Sequence, residues 1–466
     1  MKRCLDIPVR VREVEIRNFK NVNKGKITFI KSDEKQDYEN IIGLYGQNGS
    51  GKTTFVNALD LLKAYMGNEV IVLPFVNRIE EFYDYFSIGN GKSMIISKFD
   101  MVIKNKPIQV EYKLSFKSNA ELKTYVIDSE SLSFILNGEK EYIEYKLKKC
   151  VFSNGIKEQL GGAEADLSGT IPFAAVNLQS VFFNDFFVKT LKEKGPSSII
   201  FDIIAQLKFF AKFDMFVITN RHFGLINLQW NIPFTFRYSK NREVIGLDNR
   251  KVKQEELTSG SQTIDLRQPQ QVPTSFYEKL NSMLDNINEV LTRLIPDTKV
   301  EIIPIDCVMR DGSMGKSIEL VTNRNGKKIP MRNESTGILK IVSIIQTLIA
   351  YCTCDDIFVA IDEFDAGIYE YLLGSLLELL SKEGKGQLFF SSHNLRPLEI
   401  LNKNSIYFST TNPDNRYIKF SNVKTNNNLR DFYFRTIVLG GQKEKVYNDD
   451  DMAGLQIILR KLARNE

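Results

Sequence analysis

The stretch Asn40-Ile-Ile-Gly-Leu-Tyr45 runs without interruption into Gly46-Gln47-Asn48-Gly49-Ser50-Gly51-Lys52-Thr53-Thr54. The first part is an apolar run short enough for a buried strand. The second matches the pattern G-x-x-x-x-G-K-[ST], whose glycines let consecutive backbone N–H groups turn inward around phosphate oxygens. The third part, Thr54 to Tyr65, spaces Phe55, Leu59, Leu62 and Tyr65 as one face of a helix. A helix starting there adds free N–H groups and its positive dipole end to the same anion. Lys52 would place a compact positive charge on the β and γ phosphates, and the Thr53 hydroxyl would ligate Mg²⁺.

Working outward, Ile357-Phe-Val-Ala-Ile361 is a second apolar run, and it ends in Asp362-Glu363. A buried strand ending in two carboxylates delivers them to the edge of an α/β sheet where ligands bind. Asp362 is expected to hold the metal and Glu363 to polarise an attacking water as general base. One helical pattern later comes Gln387-Leu-Phe-Phe-Ser-Ser392-His393-Asn394. That order places His393 on the neighbouring strand at the same edge, within reach of the terminal phosphate. His222, in Asn220-Arg-His-Phe-Gly, has no such context and reads as structural.

The remaining chain is organised around these two regions. Val11 to Ile16, Lys26 to Ile30 and Ser93 to Phe116 read as strands. Between about 113 and 297 the texture changes, with helical patterns, a polar break at Thr190 to Pro196, and an aromatic stripe at Phe182, Phe183, Phe186 and Phe187. The stripe reads as core, with a partner face as the alternative. Lys240 to Pro273 reads as a long loop and Ser275 to Leu294 as an amphipathic helix. Val300 to Val308, Lys316 to Val321 and Lys327 to Met331 read as strands joined at Asp311-Gly312 and Asn325-Gly326, pairs that favour tight hairpin turns. The expected division is 1–112 and 298–466 as two halves of one head, with 113–297 as a mainly helical insertion.

Composition excludes little. The chain has 466 residues, 62 basic and 57 acidic, and a formal charge of +5, which permits a local nucleic-acid patch without arguing for one. Lys146-Leu-Lys-Lys149 and Lys240 to Lys253 are the candidate patches. Two histidines are too few for a histidine-rich metal centre. Five cysteines, with Cys352 and Cys354 one residue apart and no second pair at zinc spacing, suit reduced thiols in the cytoplasm. The charged start, MKRCLDIPVRVREVE, lacks the apolar core of a signal peptide. Charges interrupt the apolar stretch Ser198 to Val217, so no membrane association is expected.

The order of a phosphate loop (Walker A), a Ser/Gly signature, an acidic strand (Walker B) and a switch histidine resembles ABC-type ATPases. Within that class Ile16-Arg-Asn-Phe19-Lys20 is similar to the opening of SMC and RecF-like heads, where this segment approaches the adenine side of the nucleotide. Asn333-Glu-Ser335-Thr-Gly337 departs from the commoner L-S-G-G-[EQ] signature and is similar to the variants in RecF-like and OLD-family ATPases. Asp365 corresponds to the D-loop position, and the Q-loop glutamine has no assigned counterpart. The resemblance covers roughly residues 10 to 115 and 298 to 440.

What the resemblance implies is an α/β head: a mixed sheet with flanking helices and an antiparallel β subdomain, binding ATP with Mg²⁺. Two heads would sandwich two nucleotides, with Ser335 and Gly337 touching the phosphate held by Lys52 of the partner. That predicts an ATP-dependent homodimer or higher oligomer. It would act on DNA, RNA or a separately encoded effector, in the manner of relatives in DNA repair or antiphage defence. The middle region lacks the sustained heptads of a long coiled-coil arm. The Asp449-Asp-Asp451 cluster has no companion motif, so no nuclease is expected. The alternatives are a transporter's nucleotide-binding subunit, against which the Arg17-Asn-Phe-Lys20 opening stands, and a non-hydrolysing scaffold, against which Glu363 and His393 stand.

Overall fold

The alternation of Arg10–Phe19 (β1) buries Val11, Val14, Ile16 and Phe19 and turns the charges between them outward. This strand pairs on one side with Val22–Thr28 (β2) and on the other with Ser93–Ile103 (β4), beyond the phosphate-loop strand Ile41–Tyr45 (β3). Lys106–Asn119 (β5), Thr124–Leu136 (β6), Glu139–Lys146 (β7) and Lys149–Phe152 (β8) extend the same antiparallel sheet, in the order β2-β1-β4-β5-β6-β7-β8. The computed structural model describes residues 9–31, 37–68, 92–119, 124–176, 179–229, 236–238, 244–246, 261–421, 428–447 and 452–463.

The stretch 113–297 differs from the single, mainly helical insertion expected. Strand β5 runs through residues 112 and 113, and residues up to Phe152 remain in the antiparallel sheet. The reason is local. Lys104-Asn105, Asn137-Gly138 and Leu147-Lys148 all take positive φ at both positions, the two-residue hairpin geometry that matches strand twist. A first group of helices begins only at Asn154 and ends with a π-turn at Phe210–Asp214, and one long helix, Thr274–Leu294, follows later in the stretch. The chain then enters Met215–Ile218 (β9), which belongs to the other sheet.

The helical part packs onto the antiparallel sheet through Phe182, Phe183 and Phe187, all buried, whereas Phe186 is 51% exposed. The Phe183 ring stands edge-on to Tyr112 at 5.4 Å. Beside them the buried Glu130 carboxylate accepts hydrogen bonds from Tyr112 Oη (2.8 Å), Ser180 Oγ (2.5 Å) and Val181 N (2.7 Å). Those three donors make its burial tolerable. Core is thus the correct reading for three of the four aromatics.

The second sheet has six strands, in the order Tyr417–Ile418, Ile406–Ser409, β3, Gln387–Ser391, Phe358–Ile361, β9. All but the Tyr417 edge run parallel. Helix Lys52–Gly67 follows β3 and is buried along nearly its whole length. A third, antiparallel sheet joins Gln270–Pro273, Met314–Arg324, Thr298–Val308 and Lys327–Pro330. Its turns fall at Asp311-Gly312 and Asn325-Gly326 as expected. Helix Thr274–Leu294 lays Phe276, Leu280, Leu284, Ile287 and Leu291 against it.

The expected loop from Lys240 contains strands Ser261–Asp265 and Gln270–Pro273. The Asp449–Asp451 cluster and the lysine-rich segment 247–253 lie outside the described residues. Lys146-Leu-Lys-Lys149 is an exposed hairpin turn. Helix Thr336–Thr353 is long and apolar enough to cross a membrane, and 72% of that span is buried inside the protein.

Candidate active site

The parallel strands bring four chain segments, far apart in sequence, to one edge. The loop after β3 is shaped by Gly46, Gly49 and Gly51, at φ 154°, 74° and 92°. At Gly46 a Cβ would sit 1.7 Å from Ser409 Oγ, so any side chain there would have to displace Ser409. Ser50 Oγ meets Ser409 Oγ at 2.5 Å, and Tyr417 Oη donates to Gly51 O at 2.6 Å. Asn21, in the β1–β2 turn, donates to Gly49 O and accepts from Thr54 Oγ1 at 3.0 Å.

Lys52 is buried and donates to the carbonyls of Gly46 (2.7 Å) and Gln47 (2.9 Å). Burial pushes its pKa down to about 8, against the pull of Asp362, Asp365 and Glu363. A buried ammonium under that penalty favours an incoming anion. Thr53 lies exposed at the mouth of the loop.

Asp362 and Glu363 follow Phe358–Ile361 as expected. Ser391 Oγ donates to Asp362 Oδ1 at 2.5 Å and accepts from Glu363 N at 2.8 Å. Burial raises the Asp362 pKa, while hydrogen bonds from Ser391 and Thr53 favour the charged form. Glu363 takes φ 47°, a left-handed conformation that costs a non-glycine residue about 1–2 kcal/mol. Its Oε2 accepts from Asn220 Nδ2 at 2.8 Å, and its carbonyl accepts from the Lys340 ammonium.

His393 follows Gln387–Ser391 on the adjacent strand. Burial first, then Lys52, lowers its pKa, which leaves the imidazole neutral at pH 7. Asp365 Oδ2 accepts from the backbone N of His393 (3.1 Å) and of Asn394 (2.9 Å), tying the carboxylate to the histidine's main chain. Its Oδ1 is buried and has no hydrogen-bond partner among the described residues. Ser335 caps helix Thr336–Thr353 by accepting from Ile338 N at 3.3 Å, and both Ser335 and Thr336 face solvent. Gly337 is pressed against Gly367, where a Cβ would fall 2.0 Å from the carbonyl oxygen.

Two sequence assignments fare differently. Phe19 is fully buried in the core and presents no ring to a nucleotide, because the β1 alternation turns it inward. Lys20 stands in the β1–β2 turn at φ 50°. Asn21, Asn220, Lys340, Ser391, Ser409 and Tyr417 were not singled out from sequence. Only Ser391 and Ser409 carried a signal, as polar residues closing short apolar runs. His222 has the structural role expected, accepting through Nδ1 from Thr219 N at 3.0 Å. Among the described residues no cluster of His, Cys, Asp and Glu could hold a metal by itself.

The donor set fits magnesium completed by a nucleotide. Thr53 and Asp362 offer hard oxygens to a cation that takes few protein ligands and keeps phosphate and water as the rest. Bound Mg²⁺ would neutralise phosphate charge. The chain's own contribution is a glycine cradle, the Lys52 ammonium, and a carboxylate held in place by Asn220.

Residues 219–399 match a family model described as "AAA domain, putative AbiEii toxin, Type IV TA system". No curated protein matches the chain. Solved structures similar to it include an Smc head domain with an extended coiled coil bound to the C-terminal domain of ScpA from Pyrococcus furiosus. That pair is 13% identical, with TM-score 0.39, 89% of this chain and 96% of that one being covered. The SMC head domain from Thermotoga maritima is also 13% identical, with TM-score 0.35, covering 88% and 99%. With its parallel strand order and its glycine loop between β3 and helix Lys52–Gly67, the chain has an α/β fold with a phosphate-loop-type strand–loop–helix unit, and residues 219–399 are similar to the AAA domain of that family model.

Proposed function

We propose that the protein binds ATP with Mg²⁺ and hydrolyses it. Lys52 and the Gly46–Thr53 loop would hold the phosphates, Thr53 and Asp362 the metal, and Glu363 would take the proton of the attacking water. His393 would sense the terminal phosphate. The observation that carries this reading is the convergence of Lys52, Asp362, Glu363 and His393 at one edge of the parallel sheet, with the Glu363 carboxylate held by Asn220 at 2.8 Å. Phosphate release that Lys52→Ala abolishes is the expected result. Nucleotide binding without phosphate release would return the protein to a non-hydrolysing scaffold.

Hydrolysis would be coupled to assembly. Of the expected signature pair, Ser335 faces solvent at the start of its helix while Gly337 is buried against Gly367; the exposed Ser335 supports engagement of a second copy's nucleotide rather than the chain's own. Helix N–H groups and a hydroxyl suit that contact. ATP then joins two heads and hydrolysis releases them, a population shift between two assemblies. Glu363→Gln should accumulate a dimer in gel filtration with ATP and Mg²⁺; an unchanged monomer refutes the coupling. The output would pass to a separately encoded effector or to nucleic acid, in repair or defence. A tagged Glu363→Gln pull-down with ATP is the means of identifying which.

A further inference from the structure

Glu363 has an unfavourable backbone conformation, and something must hold it there. Its N–H is taken by Ser391 Oγ at 2.8 Å. Its carbonyl accepts from Ala366 N at 2.9 Å, closing a turn, and from the ammonium of Lys340. Lys340 is 1% exposed and stands four residues into the helix that Ser335 caps. It donates a further bond to Ala366 O at 3.2 Å and lies 4.4 Å from the centre of the Phe223 ring. The charge is thus spent on two main-chain oxygens of the 363–367 turn and one aromatic face, with no direct carboxylate bond among these contacts. A second contact joins the same two segments, the backbone-to-backbone approach of Gly337 and Gly367.

We propose that Lys340 is a positioning residue for Glu363. It fixes the left-handed Glu363 peptide and the 363–367 turn to the signature helix, so that helix and turn move as one piece. An event at Ser335, on one end of the helix, thereby reaches the carboxylate that Asn220 orients at the other side of the turn. Lysine suits the task because its three donors on a flexible stem can serve two carbonyls at once. Methionine would fill the same space and serve neither.

The proposal rests on the hydrolytic reading of Glu363 for its kinetic consequence, and not for its structural one. The full chain is compared with Lys340→Met and Lys340→Arg. Hydrogen exchange comes first. In Lys340→Met the amides of residues 364–368 should exchange about 10-fold faster, with those of the Gly46–Lys52 loop unchanged. Unchanged exchange in 364–368 overturns the proposal, as does faster exchange throughout the chain.

In steady-state turnover, Lys340→Met should lower kcat on the order of 10²-fold, the effect of an ångström's misplacement at a reacting centre. KM for ATP should stay the same, and Lys340→Arg should restore part of the rate. A parallel rise in KM, or a loss that arginine does not relieve, assigns Lys340 to general packing and refutes the inference. In a Glu363→Gln background Lys340→Met should cost nothing further; an additional loss means that it acts elsewhere. Should the wild type bind ATP and release no phosphate, the hydrolytic reading fails, and the exchange measurement alone decides whether Lys340 holds the turn.

Discussion

Replacing Gly337 by alanine tests the helix-to-turn contact with a change whose sign is the result. Gly337 lies in the first turn of helix Thr336–Thr353, where alanine is ordinarily better than glycine by about 1 kcal/mol. Without a neighbour, the substitution would stabilise. Here the new Cβ would fall 2.0 Å from the carbonyl oxygen of Gly367, and Cβ atoms essentially never approach within 3.0 Å of a neighbour. That oxygen is backbone, so the helix and the 363–367 turn must part by about 1 Å, and overpacking of this kind costs about 1–3 kcal/mol.

The same displacement sits four residues from Glu363 and should lower phosphate release on the order of 10²-fold. Urea unfolding and a coupled phosphate assay read the two effects. Gly312→Ala is the control for turnover: its φ is 83° with nothing within 4 Å of the added methyl, so it should cost stability through backbone strain in a hairpin turn and leave turnover intact. If Gly337→Ala is as stable as wild type or more so, with undiminished turnover, the reasoning is wrong.

Other outcomes follow from the geometry of the same edge. Asn220→Ala should lower kcat about 10-fold with little change in stability, since it removes one donor to an exposed carboxylate oxygen; an unchanged kcat would show that Glu363 needs no such orientation. Ser391→Ala should destabilise by about 1–3 kcal/mol, because it strips a buried partner from both Asp362 and Glu363 N. Chemical denaturation measures it. Burial holds the Lys340 pKa down to about 8 against 10.5 for an ordinary lysine. Between those values the unfolded chain binds the extra proton, so wild-type stability should rise with pH relative to Lys340→Met, by at most about 3 kcal/mol. Parallel stability curves from pH 8 to 10.5 would contradict it.

The two strand-to-loop joins were legible because each combines a short apolar run with a chemically distinctive end. Asp311-Gly312 and Asn325-Gly326 announced their hairpins for the same local reason. Leu147-Lys148 did not, since nothing in a leucine–lysine pair favours positive φ, and the strands around it were missed together with the turn. The edge strand β9 was hidden differently. Met215–Ile218 reads as the end of an apolar helical stretch, and only pairing with Phe358–Ile361, 143 residues on, makes it a strand. Asn220 inherits that obscurity. Lys340 lies within an otherwise apolar helix where a lysine invites no special reading; its role comes from two carbonyls that a turn elsewhere in the chain turns toward it.

The central position of β3 bears on how the chain is made. Ile41–Tyr45 finds its two neighbours in Gln387–Ser391 and Ile406–Ser409, so about 340 residues must be synthesised before either can pair with it. At 5–20 residues per second that is roughly 20–70 s during which the nascent chain carries an apolar strand with both edges open. For that interval the phosphate loop it supports has no sheet to stand on. The ribosome must therefore extend the chain through Gln387–Ser391 and Ile406–Ser409 before a nucleotide has anywhere to bind.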